Sequence, residues 1–223
     1  MKKTSLIFAL ILAFAFYLFG CGCNKEKNIN KEEALEVLKE SVVRDNVEIV
    51  TTTETTVNNI KTVSTQSDIY YNDKYYHLSE NNNISTKTWY GEVNNVLYAF
   101  YYTKNANNEE TKTSSRIEST QLESVKQQPN SIYNTITDTN GNLLQGMEIS
   151  ASKLGRTYTI QITNSNEDEA NTYTYTIEDA KIKKIVQTSN IGSDSIIITY
   201  DYNYDVEDIE LPTLSEYPLN VNG

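Results

Sequence analysis

The sequence predicts an α+β fold in which antiparallel strands dominate, and three observations carry that expectation. From Asn46 onward, apolar and β-branched residues recur at every second position between short polar turns, the period of a half-buried strand. A clear helical period appears once near the start of the body, over residues 31–44. The composition is rich in Thr, Asn, Ile and Tyr, with 17 tyrosines against three prolines, which favours strands and polar turns over a helical bundle.

The chain begins with a positive pair, Lys2 and Lys3, followed by an almost unbroken apolar run from Leu6 to Phe19 and then Gly20. This is the arrangement of a secretory signal over residues 1–20, and the run is too short for a permanent membrane span. Leu18-Phe19-Gly20-Cys21 resembles the bacterial lipobox, in which a branched apolar residue and a small residue precede an acylated cysteine. The resemblance implies covalent diacylglycerol on Cys21. Two acyl chains hold a protein stably at a bilayer where one does so only marginally. Cys23 is the poorer acceptor, because Gly20 would then occupy the position of the branched residue. The expected address is the outer face of the cell membrane, with residues 21–30 as a flexible tether.

Removal of residues 1–20 takes two lysines and no acid from a chain of net charge −11, leaving 17 basic and 30 acidic side chains, a net charge of −13. Such a charge argues against nucleic acid as a partner. Both cysteines sit at the processing site, so the folded body can build neither a disulfide nor a thiolate metal site. Its stability must come from an apolar core, and its length suits one domain.

Asn30 followed three positions later by Glu33 is a capping box, and Ala34, Leu38 and Val42 continue the helical face toward Arg44. Strands are expected over residues 47–57 and 60–71 around Asn58-Asn59, then over 74–79 after Asn72-Asp73. Two more, 85–90 and 96–103, flank the turn residues 91–95. Residues 104–112 are expected to be loop, and Ser114 or Ser115 to cap a helix ending at Gln128, before Pro129. Ile132 and Ile136 suggest a second short helix or a strand. Strands over 143–150, 156–164, 172–178 and 181–188 follow, and Ile196, Ile198, Tyr200, Tyr202, Tyr204 and Val206 share one face of a last strand. Residues 208–212 close the domain, and 216–223 form a tail.

The order of these elements, with the ending Tyr200-Asp201-Tyr202-Asn203-Tyr204-Asp205-Val206-Glu207-Asp208-Ile209-Glu210-Leu211-Pro212, resembles the family of lipoproteins and lipoprotein-localisation factors typified by LolA, LolB, LppX and LprG. The similarity covers most of residues 31–215. It implies a strongly curved antiparallel half-barrel of about 9–11 strands, wrapped around the N-terminal helix and one or two mid-chain helices. It also implies an apolar cavity that holds acyl chains in several members, while other members serve as protein-binding modules.

Catalytic constellations are sparse. His77 is the only histidine, so a two-histidine metal site cannot form, and an edge-strand or surface role explains it best. Asp201-x-Asn203-x-Asp205 imitates the start of a calcium loop, but Val206 stands at the glycine position and Pro212 at the twelfth. Glu109-Glu110 and Glu167-Asp168-Glu169 are turn carboxylates. The aromatic faces are more informative. Tyr98, Phe100 and Tyr102, with Tyr158, Ile160, Tyr173, Tyr175, Ile198, Tyr200 and Tyr202, could line a ligand cavity or fill a core, and Trp89 has the same two readings. The function expected is therefore a non-enzymatic, membrane-anchored lipoprotein that binds a lipid or other apolar ligand and needs no cofactor. The alternative is a module that docks a cell-envelope protein, such as a cell-wall enzyme it activates.

Overall fold

The computed structural model describes residues 25–41, 43, 46–81, 83–125, 136–166 and 169–220. Among the described residues, twelve antiparallel strands form one open sheet, accompanied by two helices. The strands are β1 (Lys27–Ile29), β2 (Val47–Val57), β3 (Ile60–Tyr71), β4 (Lys74–Asn81), β5 (Ile84–Val93), β6 (Val96–Lys104), β7 (Glu110–Arg116), β8 (Met147–Leu154), β9 (Thr157–Asn166), β10 (Glu169–Glu178), β11 (Lys181–Ile191) and β12 (Asp194–Asn203). The helices are α1 (Lys31–Glu40) and α2 (Ser119–Val125).

The spatial order is β1-β8-β9-β10-β11-β12-β2-β3-β4-β5-β6-β7. Two meanders, β2 to β7 and β8 to β12, are thus joined where the last strand pairs with the second. Tight turns hold the registers. Asn58 and Asn59 have φ of 52° and 64°, and Asn94 and Asn95 have 53° and 62°. These are the left-handed pairs of a two-residue hairpin, a conformation that asparagine tolerates better than most residues.

Helix α1 begins where its sequence says it should. Asn30 Oδ1 accepts the Glu33 N–H at 2.8 Å, and Glu32 and Glu33 sit in the first turn, where the helix dipole favours negative charge. It ends earlier than the expected residue 44, because Ser41 turns to an extended conformation and its Oγ donates to the Leu38 carbonyl at 2.8 Å. Val42 and Arg44 lie outside the described residues. So do Pro129 and Ile132, while Ile136 is a buried helical residue whose carbonyl accepts from the Leu144 N–H.

Two segments differ from expectation, and both are strands at the rim of the sheet. Residues 27–29, expected as tether, pair with 151–153, because the outer edge of β8 otherwise leaves its backbone groups unpaired. Residues 110–116, expected as loop and helix start, form β7 against β6. The alternation Thr111, Thr113, Ser115 fits a pleat, and Ser114 is wholly buried. These two strands account for the count of twelve rather than about 9–11. The mid-chain helix therefore starts at Ser119, with the Glu118 N–H donating to Gln121 Oε1. The turn at residues 138–142 forms as expected, but strand β8 begins at Met147 rather than at residue 143, since Leu143 and Leu144 pair back on Thr137 and Ile136 and the Met147 N–H donates to the Leu144 carbonyl.

The sheet buries apolar residues on both of its faces, on the second only toward the β5–β6 end. On the first, Ala34 and Leu38 of α1 and Leu122 of α2 join Val47, Ile49, Ile160, Ile162, Tyr175 and Ile177 in one cluster. On the second, Tyr98 and Phe100 of β6 lie under Tyr217 with Trp89, Leu211 and Leu214. That second cover is the C-terminal segment.

Candidate functional site beneath the C-terminal strap

One row of residues crosses the second face. The pairings run Asn203 to Glu48, Glu48 to Ile69, Ile69 to Tyr76, Tyr76 to Trp89, Trp89 to Phe100 and Phe100 to Ser114, traversing β12, β2, β3, β4, β5, β6 and β7. Residues 204–220 run above this row as a strap. At its start, Asn203 Oδ1 accepts the Asp205 N–H at 3.0 Å, a side-chain turn that ends β12 and redirects the chain. Val206, expected to continue the strand, thereby leaves the face that holds Tyr200 and Tyr202.

Three attachments hold the strap down. Lys74 Nζ donates to Asp208 Oδ1 at 2.7 Å and to the Ile209 carbonyl at 2.9 Å. Leu211 lies against Gly91, where an added Cβ would stand only 2.6 Å from Leu211 Cδ1, so the absence of a side chain admits the strap. Beyond it, the Tyr217 ring meets Trp89 and Phe100 edge-on at 5.8 and 5.9 Å. The Ser114 N–H then donates to the Pro218 carbonyl, the Asn220 N–H donates to the Ser114 carbonyl, and Ser114 Oγ donates to the Tyr217 carbonyl. The folded body thus continues past residue 215, through part of the expected tail.

Between the turn at Asn203 and the contact of Leu211 with Gly91, the strap and the sheet border an open groove of about 350 Å³, within the roughly 300–1,000 Å³ range of small-molecule sites. Glu48, Ile69, Tyr76 and Trp89 form its floor, and residues 205–210 form its other wall. Tyr76 and Trp89 stack obliquely, with centroids 5.2 Å apart. Burial, with Glu80 and Tyr217 nearby, pushes the Tyr76 phenol up, so it stays neutral. Ser67 Oγ donates to Glu48 Oε1 at 3.0 Å and Asn203 Nδ2 to Oε2 at 3.4 Å, orienting that carboxylate.

The aromatic residues singled out from the sequence divide between the two faces. Trp89, Tyr98, Phe100 and Tyr102 belong to the cluster under the strap, and of these Trp89 lines the groove. Tyr158, Ile160, Tyr173, Tyr175, Tyr200 and Tyr202 pack in the opposite cluster with the helices, and Ile198 shares their face of β12. They form two clusters rather than one lining. Glu48, Ile69 and Tyr76 were not among the residues expected at a site, and the only local signal of the groove was in its other wall, the repeated acidic-apolar-acidic triplets Asp205-Val206-Glu207 and Asp208-Ile209-Glu210. Leu18, Phe19, Gly20 and Cys21 lie outside the described residues.

The remaining chemical candidates have structural employment. His77 is not at an edge: β4 lies between β3 and β5, and Nδ1 sits 2.7 Å from Asp68 Oδ1 across the β3–β4 pairing. The same oxygen accepts the Tyr75 hydroxyl at 2.5 Å. Asp201 pairs with Lys184 at 3.1 Å, and Glu109 Oε2 accepts from Asn105 Nδ2 within its loop. Glu167 and Asp168 lie outside the described residues. Among the described residues no three His, Cys, Asp or Glu gather as a metal site, and no helix is long and apolar enough to cross a membrane.

The chain is therefore an open antiparallel sheet protein with a strapped groove on one face. No family model matches it, and no curated protein matches it in sequence. Among solved structures it is similar to a DUF1329 family protein from Desulfovibrio piger, at 9% identity and a TM-score of 0.28, covering 78% of this chain and 93% of that one. It is also similar to a LolA superfamily protein from Nitrosomonas europaea, at 10% identity and a TM-score of 0.23, covering 82% and 96%.

Proposed function

We propose that this chain is an exported lipoprotein, anchored through diacylglycerol on Cys21, whose body binds a lipid or another apolar ligand without transforming it. The observation that carries the reading is the groove over Ile69, Tyr76 and Trp89, an aromatic floor left open beside residues 205–210 of the strap. It is large enough for a short apolar chain, and its tyrosine and tryptophan offer apolar bodies with polar tips. The lipobox supplies the address. Metabolic labelling with a palmitate analogue should tag the wild type and not Cys21→Ala. Organic extracts of the purified body, analysed by mass spectrometry, should contain a bound amphiphile that Trp89→Ala loses. Equal labelling of both proteins would remove the anchor from this reading, and empty extracts with no displacement of a fluorescent fatty acid would remove the ligand.

A second reading, a module that docks a cell-envelope protein, draws on a different observation. Val57, Ile60, Val63 and Ile84 are exposed at hairpin tips on one end of the sheet, whereas the chain enters at the other end, where Lys27 pairs with Lys153. An anchored body would thus present apolar tips away from its tether. Recovery of a single membrane protein in pull-downs that Ile60→Asp abolishes, with an empty groove, would favour this reading.

A further inference from the structure

The groove's walls carry more information than its apolar floor. Glu48, Asp205, Glu207, Asp208 and Glu210 line it, and among the described residues Lys74 is the one cation paired with any of them, on Asp208. The carboxylates of Asp205, Glu207 and Glu210 make no ion pair among the described residues. An anionic head group, a free fatty acid or a phospholipid phosphate, would meet like charge on both sides of the groove. A cation would meet carboxylates and also the oblique Tyr76–Trp89 corner, whose ring faces attract positive charge. Glu48 is already held by Ser67 and Asn203, so its charge is in place before a ligand arrives.

We propose that the groove selects a cationic amphiphile, with an ammonium or quaternary ammonium head between the Tyr76–Trp89 corner and the carboxylates, and its apolar chain along Ile69, Val206 and Ile209. This rests on the groove being the ligand site, as argued above. Charge complementarity decides the head group, and the apolar residues along the groove decide that a chain accompanies it. Asp208 is satisfied by Lys74, so the discriminating carboxylates are Glu48, Glu207 and Glu210 together with Asp205.

Trp89 is the only tryptophan in the chain and lines the groove, so its emission reports occupancy directly. The protein for the test lacks residues 1–20 and carries Cys21→Ser, which keeps every described residue. Dodecyltrimethylammonium, dodecanoate and dodecyl maltoside, each titrated below its micelle concentration, share one chain length and differ in head charge. The expected result is a saturable change in Trp89 emission with the cation, at least about tenfold weaker binding of the anion, and an intermediate neutral amphiphile. In Glu207→Gln/Glu210→Gln the cation should bind about three- to tenfold more weakly, more so at low salt, while the neutral amphiphile is unchanged. Thermal melts of both proteins confirm that each is folded. Equal binding of the three amphiphiles overturns charge selection and leaves an apolar site. Equal cation binding by wild type and variant marks general adsorption and also overturns it. No emission change with any of them removes the groove as a ligand site, and both readings fall together.

Discussion

At the scale of single residues, the most consequential pairing is Asp68 with His77. Both side chains are mostly covered, with 14% and 26% of their surface exposed, and one carboxylate oxygen receives both the imidazole and the Tyr75 hydroxyl. The hydrogen bond to Asp68 holds the His77 imidazolium above its ordinary value of 6.5, against a smaller opposing effect of burial. A folded-state value above the unfolded one means the stabilisation is complete below about pH 6.5 and fades as pH rises through the raised value. The wild type should therefore lose stability across that window, and Asp68→Asn should flatten the dependence while costing about 1–3 kcal/mol at pH 6. Urea melts at pH 6 and pH 9 measure both; a pH dependence unaltered in the variant would contradict the assignment. This pairing was legible in principle. Residues equidistant from the Asn72-Asp73 turn must face each other, and 68 and 77 are equidistant from it. Treating His77 as an isolated residue concealed what the turn already implied. Ala180 shows the opposite case, because its φ of 58° follows from its place in a two-residue turn and from nothing in its own chemistry.

At the scale of elements, the strap and the strands beneath it depend on each other. Gly91 makes no backbone demand of its own, since its importance is the approach of Leu211. Gly91→Val should lift the strap, cost about 1–3 kcal/mol by overpacking, and speed proteolytic cleavage within residues 205–216, which limited proteolysis followed by mass spectrometry would detect. A cleavage rate equal to wild type would show that Leu211 accommodates the new side chain. The N-cap of α1 and the alternation of β2, β3 and β12 could be read because each is local. Strand β7 could not. Its Thr and Ser residues are equally at home in a loop, and only the exposed flank of Phe100 and Tyr102, together with the returning chain end at Pro218 and Asn220, makes residues 110–116 a strand. The floor of the groove stayed hidden for a related reason. Glu48, Ile69, Tyr76 and Trp89 lie in four different strands, and aligning them required the register of three successive hairpins.

At the scale of the whole molecule, an antiparallel sheet can leave one face to water, but this chain lays its helices on one face and its C-terminal end over the apolar part of the other. Ending the chain after Pro212 should therefore expose Trp89, Tyr98 and Phe100 while leaving the α1 side intact. The expected outcome is dye binding typical of exposed apolar surface, red-shifted Trp89 emission and a loss of about 3 kcal/mol or more, the scale of deleting a buried aromatic residue. Unchanged emission would show that the face is covered by something other than Tyr217. The same division explains why the aromatic residues could not be sorted from sequence. Alternation tells which residues of a strand share a side, but not which side the helices will occupy. The attachment of β1 has a mechanical consequence. It joins the sheet through three residue pairs next to the chain's entry, with hydrogen bonds perpendicular to the strand. A pull on the N-terminus along the strand loads those pairs together in shear, whereas a sideways pull opens them one at a time. Any force reaching the body through its N-terminal end is thus resisted in one direction and yields in another.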